Sequence, residues 1–156
     1  MTCAMVVNSK SGNTRMVSGA IKRALQAAGV EFVHAAALSD DADPEQVLSE
    51  AQGACAADTV LVGFWCDKGT RSPSVAALLS ALHGKRVFLF GTCGFGADQN
   101  YFQQIIDRVS SNLADDAELV GWAMCQGKMG PAVKQRYEAM LEQDPDNTRF
   151  KMLLDN

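Results

Sequence analysis

Five short apolar runs, each bounded by turn residues and each followed by a segment with helical spacing, constrain this chain more than any other feature of its sequence. They run from Cys3 to Asn8, Val30 to Ala35, Asp58 to Trp65, Arg86 to Cys93 and Glu118 to Cys125. All are too short for a buried helix, and Asp58-Thr-Val-Leu-Val-Gly-Phe-Trp65 is apolar at nearly every position, as a strand covered on both faces must be. Between the runs the period changes. Val17, Ala20, Ile21, Ala24 and Ala28 mark a helix from Thr14 to Ala28 that Gly29 can close. Asp43-Pro44-Glu45 and Ser72-Pro73 are cap-then-proline helix starts. The first opens a helix through about Gln52, and the second carries the stripe Val75, Leu78, Leu79 and Leu82 as far as Gly84. Phe102, Ile105, Ile106, Val109 and Leu113 mark a helix from Asp98 to Leu113, and Gly130-Pro131 opens a last one with Val133, Tyr137, Met140 and Leu141 facing inward.

Strands alternating with helices form a parallel sheet covered on both faces, because each right-handed crossover lays its helix on one side. The expected architecture is α/β, a doubly wound five-stranded parallel sheet of order 2-1-3-4-5. It occupies residues 1–142, with a polar tail over 143–156. That order reverses direction between the first and third strands, and ligands bind at the carboxyl ends of the strands there. Attention falls on the loops at 9–14, 66–72 and 93–100.

Composition narrows the partners. A chain of 156 residues can bury roughly 70% of its unfolded surface and needs no staples. The net charge of -4 disfavours a nucleic-acid backbone as partner. No apolar run approaches the ~20 residues that span a bilayer, and the N-terminus lacks signal-peptide regions, so a cytoplasmic location is expected. Cys3, Cys55, Cys66, Cys93 and Cys125 are odd in number and include no C-x-x-C pair, which reads as reduced thiols.

Ser9-Lys-Ser-Gly-Asn-Thr14 passes from a buried strand into a helix whose first N–H groups and dipole favour an anion. Ser9, Ser11, Asn13 and Thr14 add neutral donors, Gly12 allows close backbone approach, and no carboxylate repels a phosphate. The bland alternative is a polar helix cap. Other phosphate motifs fail on spacing: Lys10 precedes Gly12, where a P-loop needs Gly-Lys-Ser/Thr, and Gly94-Phe-Gly96 follows the fourth strand and has no third glycine. Cys66 and Arg71 are separated by four residues, one short of a cysteine phosphatase loop.

Ser-Lys-Ser-Gly-Asn-Thr resembles the phosphate loop of the flavodoxin family, and the strand-helix alternation fits that family to about residue 142. The uninterrupted fifth strand resembles the short-chain branch. Gly63-Phe-Trp-Cys-Asp-Lys-Gly-Thr70 with Cys125-Gln-Gly-Lys-Met129 is also similar to a narrower flavodoxin-like group of accessory proteins associated with bacterial bilirubin reduction. The resemblance implies an FMN cofactor, its phosphate held by Ser9, Lys10, Ser11, Gly12, Asn13 and Thr14. It places the isoalloxazine ring against Trp65, Cys66, Asp67, Lys68 and Gly69 of one loop and Thr92, Cys93, Gly94 and Phe95 of the next, with Tyr101 beside them.

Flavin rings need apolar faces, which Trp65, Phe95 and Tyr101 are placed to supply; Phe64, one residue from Trp65, should face the core instead. Where flavodoxin loops beside the ring are acidic, residues 66–71 set Lys68 and Arg71 against a single Asp67. A cation there would raise the flavin's potential; two solvated surface charges are the plain alternative. Cys66, Cys93 and Cys125 all end strands, with core packing the simpler role, and structural roles are expected for His34 and His83. No acid-base pair, nucleophile with its base or metal set is apparent. The function expected is an FMN electron carrier between a reductase and an acceptor enzyme. The alternatives are an FMN-dependent oxidoreductase or accessory subunit acting on a quinone or tetrapyrrole, as in bilirubin reduction, and a partner subunit without cofactor. A receiver domain lacks its acidic pair, since Asn8-Ser9 stand there.

Overall fold

A computed structural model of the chain describes residues 1–66, 69–94 and 98–127, together with positions 135, 139, 142 and 143. Positions 135, 139, 142 and 143, in the stretch where a helix is expected after Pro131, are helical, and the rest of that stretch lies outside this set. Nine elements follow in strict alternation: β1 (Thr2–Val7), α1 (Asn13–Ala27), β2 (Glu31–Ala37), α2 (Pro44–Ala54), β3 (Thr59–Trp65), α3 (Pro73–Ser80), β4 (Arg86–Cys93), α4 (Gln99–Ser110) and β5 (Glu118–Gln126).

The five strands form one parallel sheet of order β2-β1-β3-β4-β5, as the sequence predicts. β1 and β3 lie inside it and are almost wholly buried, whereas β2, at an edge, alternates between exposed and half-buried positions. One face carries Cys3, Met5, Val7, Leu61 and Phe90, against which Val17, Ile21 and Leu25 of α1 pack. The other carries Ala4, Val6, Val60, Val62, Phe64 and Leu89, covered by Val47 and Ala51 of α2, Leu78 and Leu79 of α3, and Ile105, Ile106 and Val109 of α4. Phe64 is fully buried on this second face, as alternation along β3 requires.

The helix starts follow their caps. Asp43 accepts the Gln46 N–H at 2.8 Å ahead of Pro44, and Asp98 accepts the Asn100 N–H at 2.8 Å. Two helices end earlier than expected: α4 stops at Ser110, short of Leu113, and α3 stops at Ser80, with Leu82 reaching its buried place through tight turns in which Ala81 N–H meets the Leu78 carbonyl and Leu82 N–H the Leu79 carbonyl. Burial of Leu82 continues the apolar stripe past the point where the helix ends. In β4, Gly91 makes room for its neighbours, since a Cβ there would lie 2.6 Å from the Phe64 ring and 2.6 Å from Met124 Sδ.

Candidate functional site at the carboxyl ends of the strands

The chain leaves β1 at Asn8, which is buried and whose side chain joins three loops. Its Nδ2 donates to the Leu38 carbonyl at 2.9 Å and to Asp40 Oδ1 at 2.8 Å, and its Oδ1 accepts from the Ser72 hydroxyl at 3.4 Å. The loop that follows folds on its own hydroxyl. Ser9 Oγ accepts from the N–H groups of Gly12 at 3.2 Å and Arg15 at 3.3 Å. Gly12 adopts φ 95°, a left-handed conformation that glycine takes without the cost a Cβ would add. The first turn of α1 holds no acidic residue, so its positive dipole end is not cancelled locally.

The remaining predicted phosphate-loop residues divide by exposure. Lys10 and Ser11 are exposed, whereas Thr14 is fully buried and shares a 2.8 Å hydrogen bond between hydroxyls with Thr92 of β4. Asn13 lies against the chain leaving β5: a Cβ on Gly127 would fall 2.7 Å from its amide nitrogen. The loop is thus pinned to β4 and β5 as well as to β1.

On the ring side, Trp65 ends β3 half-buried. Its indole Nε1 donates to Asp40 Oδ1 at 2.8 Å, and Lys10 Nζ stands 5.0 Å from its ring centroid. The structure therefore brings Lys10 of the loop at 9–14, Trp65 and Asp40 into one cluster. Asp67, Lys68 and Phe95 lie outside the described residues. The Gly69 carbonyl accepts from Arg108 at 3.0 Å, and the Gly94 carbonyl from Gln126 Nε2 at 3.3 Å. Arg71 turns to the chain just after α4, where its Nε donates to Asn112 Oδ1 at 2.6 Å. The described cations near expected ring-side residues are instead Lys10, beside Trp65, and Arg108, beside Gly69 and Tyr101.

Cys66 and Cys93 pack with Tyr101 on the face covered by α4. Burial pushes the Tyr101 hydroxyl above its ordinary pKa, and proximity to Cys66 and Cys93 pushes it further, with Arg108 opposing. Cys125 pairs laterally with Thr92 and so faces the opposite side of the sheet from Cys93. Burial alone raises its thiol. His34 and His83 meet Glu50 at 2.7 Å and Asp116 at 3.3 Å, away from these loops. Among the described residues there is no cluster of three or more metal-ligating side chains, and no helix is long and apolar enough to cross a membrane.

Sequence reasoning passed over three site residues. Asn8 reads as the end of a strand, and Asp40 sits in the loop after an edge strand, 25 residues from the indole it binds. Gln126 ends β5 with its Oε1 buried and without a hydrogen-bond partner among the described residues. Only the strand order hinted at Asp40, since β2 beside β1 brings the two following loops together.

The flavodoxin domain model matches residues 4–156, nearly the whole chain. The chain belongs to the flavodoxin family. Within the family it is similar to the flavodoxin-like domain-containing protein BilS of Clostridium symbiosum (strain WAL-14163), 36% identical over 163 residues and covering all of this chain and 84% of that one. The BilS protein of Clostridioides difficile (strain CD3) is 35% identical over 99 residues, a match spanning 64% of this chain and 56% of that relative. Among solved structures, a short-chain flavodoxin associated with a non-canonical PDU bacterial microcompartment superposes with a TM-score of 0.59 at 16% identity, covering 91% of this chain and 95% of that one. A flavoprotein in complex with FMN from Lactobacillus acidophilus NCFM gives 0.53 at 18% identity, covering 79% and 92%. These structural likenesses establish the flavodoxin fold. The geometry above lies at the carboxyl ends of that fold's strands, where Lys10, Asp40 and Trp65 form one cluster.

Proposed function

We propose that the chain binds FMN and carries electrons between a reductase and an acceptor enzyme. The observation that supports this reading best is the loop at 9–14: a helix N-terminus without acidic residues, a left-handed Gly12, and exposed Ser11 and Lys10 beside Trp65. These features suit a phosphate monoester next to a flat aromatic group. In this reading Ser9, Lys10, Ser11, Gly12 and Asn13 hold the phosphate, and Thr14 fixes the loop through Thr92. Trp65 offers an apolar face, Gly69, Cys93 and Gly94 border the ring, and Tyr101 backs them from α4. The orphan Gln126 Oε1 supplies an acceptor for a ring N–H, which answers an unmet hydrogen bond in the protein. Bound FMN supplies the one- and two-electron chemistry, and the protein supplies binding, orientation and the docking face.

The test is an FMN titration followed by absorbance and fluorescence quenching. Ser11 is exposed, so Ser11→Asp places a negative charge in the loop without disturbing the core. It should weaken FMN by about tenfold or more, roughly 1.4 kcal/mol, while leaving riboflavin binding nearly unchanged. A native chain that binds neither flavin would end this reading and favour a partner subunit without cofactor.

A second reading is favoured by the 36% identity to a BilS protein across the entire chain. In it the chain is the redox accessory subunit of a tetrapyrrole-reducing system, or itself reduces a tetrapyrrole or quinone. Mixing the reduced, FMN-loaded protein with bilirubin or a quinone, without any second enzyme, separates the two. Consumption of substrate makes the chain an oxidoreductase, and its absence keeps it a carrier.

A further inference from the structure

Cys66 and Cys93 are brought side by side by the register of the sheet. Trp65 and Thr92 are lateral partners at the ends of β3 and β4, and the Cys66 N–H donates to the Thr92 carbonyl at 2.8 Å. The next lateral pair is therefore Cys66 with Cys93. Parallel neighbours lie about 4.8 Å apart, inside the roughly 4.4 to 6.8 Å window of Cα separations that a disulfide spans. Side-chain direction agrees as well. Phe64 on β3, Cys66 just after it, and Leu89 and Cys93 on β4 all pack on the face covered by α4, so both sulfurs lie on one side of the sheet. Tyr101 packs against the same core, and its hydroxyl feels both thiols. Cys93 is 5% exposed and Cys66 half-buried, which gives the pair one reachable sulfur and one sheltered one.

We propose that Cys66 and Cys93 are a redox-active dithiol that closes to an intramolecular disulfide by exchange with a small-molecule disulfide of the glutathione class. The Cys66 thiolate attacks one sulfur of oxidised glutathione, whose S–S bond breaks and releases one glutathione thiol. Cys93 then gives up its proton and attacks the Cys66 sulfur, expelling the second glutathione. Two protein thiols are oxidised and one disulfide is reduced to two thiols. Two electrons pass between them, and the two cysteine protons end on the two glutathiones. The new bond ties the residue after β3 to the last residue of β4, between the two loops that border the cleft.

The reaction does not depend on the cofactor assignment, and its test is independent of FMN. The fully reduced chain is incubated with a graded excess of oxidised glutathione, trapped in acid, and counted for thiols by alkylation and mass after denaturation. In a Cys125→Ser chain, which removes the exposed thiol, expected is a loss of two alkylatable thiols from the remaining four, without an added glutathione, and a proteolytic fragment joining Cys66 to Cys93. Cys93→Ser should stop at one glutathione on Cys66, and a melting curve matching the native chain's shows that it folds. Three results would overturn the proposal: a stable glutathione adduct on Cys66 of the native chain, a cross-link between any other pair, or no reaction where the urea-unfolded chain reacts. If the native chain binds no FMN but still forms the Cys66–Cys93 bond, the cofactor reading fails and the dithiol stands.

Discussion

Asp40 Oδ1 takes hydrogen bonds from the Trp65 indole and the Asn8 amide, both at 2.8 Å, and so fixes an aromatic wall with a residue from a third loop. Asp40 is exposed, so water can replace it, and Asp40→Ala should cost only about 1 kcal/mol of stability. Its larger effect should be on the ring wall. Riboflavin and FMN should both lose affinity by a similar factor of about three to ten, on the order of 1 kcal/mol, whereas Ser11→Asp touches FMN alone. Asp40→Asn, which keeps an acceptor oxygen, should recover most of the loss. Trp122 is the other tryptophan, and in a Trp122→Phe background the emission anisotropy of Trp65 should fall in Asp40→Ala. Unchanged riboflavin affinity would separate Asp40 from the site. The turn from β1 into α1 at residues 9–14 was legible because its polar residues are adjacent in the sequence, but a bond between positions 40 and 65 leaves no local trace. Thr14 shows the reverse case. Its hydroxyl looked like a ligand in the sequence and is buried against Thr92 in the fold, a partner visible only once β4 lies beside the start of α1.

Among the elements, the strands were the most readable and the ends of helices the least. β3 is buried at six of its seven positions, and that uninterrupted apolar run has no helical counterpart so short. β2 was found as a short run between turn residues, although its residue types do not follow its exposure: Glu31, Val33 and Ala35 are exposed, whereas Phe32 and His34 are half-buried. The end of α3 was overestimated because Leu82 is as buried as Leu78 and Leu79, so apolar spacing alone could not tell a helix from the turn after it. Packing between strands offers a clear test. Gly91→Ala pushes a methyl into Phe64 and Met124, and overpacking of this kind costs about 1 to 3 kcal/mol. The urea midpoint should fall with its slope unchanged. Gly12→Ala, whose Cβ meets nothing within 4 Å, should instead pay only for its φ of 95° and lose flavin affinity more than stability. Equal midpoints for Gly91→Ala and the native chain would mean that β4 can shift to relieve the contact.

The whole molecule should lose stability at both ends of the pH scale. Asp58 is held below its ordinary 3.8 chiefly by the Thr2 N–H, and Asp116 below the same value chiefly by the Gly84 N–H. A carboxyl whose folded pKa is depressed contributes stability above its unfolded value, and that contribution is lost as pH falls through the folded one. Asp58→Asn should therefore flatten part of the acid limb. On the alkaline side, burial raises the thiols of Cys3 and Cys125 above 9.0 and the Tyr101 hydroxyl above 10.0. Their stabilising effect is whole below those unfolded values and drains away as pH rises through the raised ones. Urea midpoints measured from pH 3 to 11 would show both limbs, and a Cys3→Ala chain should keep more of its stability at the alkaline end. The loop at 9–14 has a consequence in time as well as in space. It is held by Thr92, 78 residues downstream of Thr14, and by the approach of Gly127 to Asn13. A ribosome adding about 5 to 20 residues per second makes those contacts available only after a delay on the order of ten seconds. The growing polypeptide therefore carries the loop at 9–14 without these distant supports until residue 127 has emerged.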